Sequence, residues 1–237
     1  MIKELKEMPW ISVLFHPRST IRSVQETNFS KQILILAILN GIVLFFYSAE
    51  DEHWGDNLSP GWFVIVAILG SPLLGLFTLY LFGVFVKWTG KLLKGGADAK
   101  QIRLALSYGY IPFIFMSLIL WIILLSIFGF DVFASGFEDK GLLGRHLNNA
   151  DSLNPGMTML TIVMVIIAFP IMIITMLILP LIITSKCIGE VQGFSAWKGL
   201  SNYLLAIISL VFSGIIFAII IGLFVMNQFT RWEFPFN

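Results

Sequence analysis

Apolar residues in this chain fall into long unbroken runs, a pattern that predicts membrane-spanning helices and not amphipathic elements of a soluble core. Five runs stand out, at about residues 32–48, 61–86, 104–128, 157–184 and 203–226. A hydrocarbon core of roughly 30 Å takes about 17 to 25 helical residues to cross, so each run qualifies. The second and fourth exceed that length and are expected to tilt or kink. Pro72 in the second and Pro170 and Pro180 in the fourth are the expected kink sites, because proline removes a backbone donor and crowds the preceding turn. The predicted fold is an all-α membrane protein with five transmembrane helices in residues 32–226, an amphipathic N-terminal segment in 1–31 and an aromatic tail in 227–237.

Charge orients these spans. Lys3, Lys6, Arg18, Arg22 and Lys31 precede the first run, whereas Glu50, Asp51, Glu52 and Asp56 follow it without a base. Acids dominate again after the third run, and Lys186 and Lys198 outnumber Glu190 after the fourth. Of the 15 bases only Lys140, Arg145 and Arg231 fall on the opposite side from the rest. The positive-inside rule therefore predicts a cytoplasmic N-terminus and an external C-terminus, with Phe229, Trp232, Phe234 and Phe236 as an outer aromatic belt. Before the first run, Pro17 can open a short helix to about Thr27 with Ile21 and Val24 on one face. Trp10 and Phe15 there read either as interface anchors or as part of a cover over the cytoplasmic ends of the spans.

The most basic stretch joins the second and third runs. Gly95 and Gly96 break the helix, and are expected to take backbone conformations open mainly to glycine. Asp98 can cap a helix whose first turns are expected at the interface before Pro112 leads into the membrane. A faint repeat follows. Lys87-Trp-Thr-Gly90 resembles Lys186-Cys-Ile-Gly189, and Gly193 and Ser195 stand where Gly96 and Asp98 do, with two residues fewer between the matches. Spans two and three would then form one hairpin and spans four and five a parallel copy.

Small residues recur every fourth position: Ala67, Ser71 and Gly75 in the second run, Gly214, Ala218 and Gly222 in the fifth, and Ala37 with Gly41 in the first. Such rows let helix backbones approach closely in lipid. Packing within the chain is the expected use; a second protein, including another copy of the chain, is the alternative.

Composition agrees with the pattern, with 57% apolar and 12% charged residues. The runs hold no ionisable group deep inside, which disfavours an ion-coupled transporter. No metalloprotease, serine-hydrolase or phosphate-loop motif occurs, so no enzyme, cofactor or metal centre is predicted. Nor is there a basic patch interleaved with aromatics that would signal nucleic acid. The acids at 50–56 could hold a divalent cation weakly, and otherwise form an outside loop. Cys187, the single cysteine, reads as a small hydrophobe, with a reactive thiol as the alternative.

Pro17-Arg-Ser-Thr20 in the N-terminal segment, the Gly95-Gly96 loop, the Ala105-Leu-Ser-Tyr108 run leading to Pro112 and five spans with the N-terminus inside resemble the Yip family of integral membrane proteins. The short N-terminal segment is similar to the bacterial branch, in which members accompany an ABC exporter. That resemblance implies an accessory subunit of a membrane complex in the plasma membrane, with the bilayer and exporter subunits as partners. A different reading of the residues is a small permease or lipid-handling protein with an apolar cavity between the kinked spans.

Overall fold

The computed structural model describes residues 9–27, 30–135, 170–172 and 174–231, and gives the backbone alone for 127 and 227–231. Eight α-helices are described: α1 (Pro9–Phe15), α2 (Pro17–Gln25), α3 (Ser30–Asp51), α4 (Pro60–Leu92), α5 (Ala99–Gly109), α6 (Ile111–Phe128), α7 (Leu179–Gln192) and α8 (Ala196–Arg231). Short 3₁₀ turns occupy Trp54–Asp56 and Gly129–Phe133, and a π turn, Ile174–Ile178, precedes α7. No strand is found among the described residues. The expected fourth span lies outside the described residues over 157–169, as do the tail aromatics Trp232, Phe234 and Phe236.

Packing starts from the small-residue rows. Gly41 of α3 lies against Ser71 and Gly75 of α4, and Gly75 lies against Ala37 and Gly41. Positions 37 and 41 thus meet 75 and 71, so the two helices run antiparallel. The Ser71 hydroxyl donates to the Ala67 carbonyl, which satisfies a polar group where no water is available. α4 continues unbroken through Pro72.

The third expected span is not one rod. α5 and α6 are bent by 43° at Tyr110. Pro112, in the first turn of α6, has no N–H to offer the Tyr108 carbonyl, so the ladder is interrupted there. Tyr110 bridges the break, donating its N–H to Leu106 O at 3.0 Å and accepting from Ile114 N–H at 2.9 Å. α5, the first turns of that run, is the hub of the bundle: Ile102, Leu104, Ala105, Leu106 and Tyr108 are all fully buried. Its neighbours are α1, α2, α3, α4, α6 and α7. Arg103 lays its guanidinium over the Tyr80 ring at 4.3 Å, so the charged side of α5 is partly covered as well.

A second core closes the acidic end. Phe133 packs on Phe63 with centroids 4.5 Å apart and stacks on Trp121 at 5.6 Å. Phe45 meets Trp54 edge-on at 5.3 Å. Asp56 tethers the two turns, its carboxylate accepting from Ser135 N–H at 3.1 Å and 3.2 Å.

Pro180 explains the π turn. It lies in the first turn of α7 and cannot donate to the Met176 carbonyl, so the chain before it is wound wider.

Candidate functional site

The two loops at the basic end are built alike. After α4, Gly95 N–H donates to Gly90 O at 2.8 Å, and after α7, Phe194 N–H donates to Gly189 O at 2.6 Å. Lys94 (φ 64°) and Gly193 (φ 72°) occupy the left-handed position of the two turns. Both helices therefore end in the glycine-type C-terminal motif that ties off their last carbonyls. Each next helix is capped by its own side chain. Asp98 accepts from Gln101 N–H at 2.7 Å while Gln101 Oε1 accepts from Asp98 N–H at 2.9 Å, a reciprocal capping box. Ser195 Oγ accepts from Lys198 N–H at 3.3 Å.

The glycines play different parts from those expected of them. Neither Gly95 nor Gly96 has a positive φ; Lys94 does. Gly95 is needed for space, since a Cβ there would strike the Gln192 side chain and come 2.8 Å from Phe194 Cζ. A Cβ on Gly96 would meet nothing.

Between the elbows lies a polar seam that the sequence reading missed. Gln192, 5% exposed, accepts from Ala97 N–H at 3.2 Å, so the second elbow reads the backbone of the first. Fully buried Asn202 of α8 accepts from the Thr89 hydroxyl of α4 at 2.6 Å. The amide nitrogens of Gln192 and Asn202 both face Gly90 and have no partner. The Asn202 amide can meet Thr89 through either end. With the amide turned over, its nitrogen would donate to Thr89, whose own hydroxyl is already satisfied by Phe85 O at 2.9 Å. The only signal for this seam was an amide at the polar edge of a span.

The N-terminal helices fasten onto the same end. Arg18 donates to Phe194 O at 2.9 Å, and Arg22 pairs with Glu190 at 2.6 Å. Ile21 and Val24 of α2 are buried, Val13 of α1 is fully buried, and Phe15 is exposed. Trp10 lies beside Phe115 with centroids 6.4 Å apart.

α8 divides in two. Its start is locked: a Cβ on Gly199 would run into Ser185 O and come 2.9 Å from Gly189 N. From Val211 to Met226 every residue is exposed. Gly214 and Gly222 have nothing within 4 Å, and Ala218 between them is exposed. The expected packing of this row inside the chain is not found among the described residues. The row of α4 pairs with α3, and the close approach of α8 is made by Gly199.

Two cavities flank the π turn. One, of about 630 Å³, lies among α3 to α8 and is lined by Asn40, Ser107, Tyr110 and Tyr203 set in apolar walls that include Met176 and Leu177. The Tyr110 and Tyr203 hydroxyls are 3.2 Å apart. The other, of about 730 Å³, lies under α1. Among the described residues no group of three His, Cys, Asp or Glu side chains could hold a metal ion. Cys187 is buried.

Compared with family models, with curated proteins and with solved structures, the chain finds no match. The fold itself defines the class. Four helices are long and apolar enough to cross a bilayer, or five if the bent α5–α6 pair is one span, so the chain is an all-α, multi-pass membrane protein.

Proposed function

We propose that this protein is a non-enzymatic accessory subunit that binds another integral membrane protein through the distal half of α8. The observation that carries this reading is the contrast along one helix. Its first turns are locked by Gly199 and Asn202, whereas Gly214, Ala218 and Gly222 form a close-approach row that meets no described residue. In lipid such a row is worth little unless another backbone lies on it. The 36 residues of α8 run to roughly 54 Å at about 1.5 Å per residue, more than a bilayer core requires. The Yip-like motifs add the expectation that the membrane is a bacterial plasma membrane and the partner an ABC exporter. The test is Ala218→Leu in the tagged protein, with mild-detergent pull-down and mass spectrometry beside a melting curve. Loss of a membrane partner at an unchanged melting temperature supports the reading, and a lowered melting temperature with the same partners refutes it.

A second reading, handling of a lipid or other apolar molecule, is favoured by the cavity of about 630 Å³. That volume lies within the range of about 300–1,000 Å³ common to small-molecule sites, and a few polar groups converge on it.

A further inference from the structure

The groove under α1 is walled by Trp10, Ile11 and Leu14 of α1, Phe115 and Met116 of α6, and Leu179 of α7. We infer that it is a seat for one acyl chain of a bilayer phospholipid, drawn from the leaflet at the basic end of the bundle. Three observations select this occupant. First, two of the walls, α6 and α7, belong to helices apolar enough to cross the membrane, so the medium beside the groove is hydrocarbon. Second, the lining is apolar apart from Gln32 and Thr175, and the Thr175 hydroxyl is turned to the Ile171 carbonyl at 2.8 Å. Gln32 has its oxygen taken by the Tyr108 hydroxyl at 2.7 Å, which leaves the amide nitrogen as the donor on the wall. One amide donor on an apolar lining matches an ester carbonyl at the head of a chain, not a peptide backbone with a donor and an acceptor at each residue. Third, charge is complementary. Lys31, exposed and next to Gln32 in the chain, offers a cation to an anionic headgroup beside the groove, whereas Arg18 and Arg22 are engaged by Phe194 O and Glu190.

The volume, about 730 Å³, is ample for one acyl chain and lies within the range common to small-molecule sites. The groove is separate from the exposed row on α8, so this inference stands independently of the accessory-subunit reading. α1 supplies one wall without being long enough to span, and in this picture it pins the lipid against α6.

The probe is a phosphatidylglycerol carrying a diazirine near the middle of one acyl chain, incubated with the purified full chain in mild detergent, photolysed and mapped by peptide mass spectrometry. Labelling concentrated on α1 and the first turns of α6 is expected. Met116→Trp fills the groove, and excluding two or three methylenes corresponds to about a tenfold or greater loss of labelling. Ile11→Trp fills it from the other wall and serves if the first variant fails to fold. Gln32→Met should keep tail labelling but abolish the preference for a diacyl phospholipid over a hydrocarbon of equal length carrying the same diazirine. Labels spread evenly over the exposed faces of α4 and α8, unchanged in both tryptophan variants, would overturn the inference.

Discussion

Gly41 and Gly75 face each other across the α3–α4 crossing so closely that a Cβ built on either comes 2.9 Å from the other's Cα. Neither position has room for even a methyl group without moving a backbone. Gly75→Val should therefore act as overpacking, costing about 1 to 3 kcal/mol or more and lowering the detergent melting temperature. Gly96→Ala, placed where a Cβ meets nothing, is the control and should leave it near the parent value.

Lys94 holds a left-handed conformation (φ 64°) that Gly193 holds in the matching turn (φ 72°). A residue with a Cβ is disfavoured there by about 1 kcal/mol or more, part of which glycine returns through its freer unfolded chain. Lys94→Gly should raise the melting temperature and Gly193→Ala should lower it. The opposite order would show that the two turns are not equivalent.

The Thr89–Asn202 contact predicts a cost of different origin. Asn202→Leu removes a buried hydrogen bond of 2.6 Å and forces a larger side chain beside Gly90, for a loss of about 1 to 3 kcal/mol. Asn202→Asp would place an unpaired charge in the same seam and should be worse. Thermal unfolding of both variants ranks them, and an Asp variant as stable as the parent would mean that water reaches the seam.

The exposed Arg22–Glu190 pair should matter little. Arg22→Ala is expected to cost about 0.2 to 1 kcal/mol, and less in high salt. Because Arg18 also ties α2 to Phe194 O, release of the N-terminal helices to limited proteolysis should need both arginines removed.

Topology is open to labelling. With Cys187→Ser, a cysteine at Asn57 should react with an impermeant maleimide in intact cells and a cysteine at Lys94 should not, given the bases gathered at the elbows. The reverse pattern would invert the molecule.

The residues that announced themselves in the sequence were those whose pattern has one physical use. Rows at 37, 41, 71 and 75 suit close approach of backbones, and Asp98 just after a glycine break suits the cap of a helix. Roles set by a distant neighbour were illegible. Gly95 looked like a turn glycine, yet its turn residue is Lys94 and its own constraint comes from Gln192. The depth of burial of α5 could not be read from its own residues, because it depends on the six other helices that pack on it. Gly199 carried no period of its own, and only the fold shows it pressed to Ser185. The row on α8 had the right spacing, and spacing alone does not say what lies opposite.

The Gln192–Ala97 hydrogen bond gives the molecule a direction in time. Its acceptor sits at the end of α7 and its donor is a backbone N–H exposed only once α4 has ended and α5 has begun. A ribosome delivers the donor about a hundred residues before the acceptor, so the first hairpin can be templated by itself and the second must dock on a finished edge. Chains arrested during synthesis with residue 150 at the tunnel exit should already bury α3 against α4. Chains in which Ala97→Pro removes the donor should insert every span and yet leave the last helix pair open to protease.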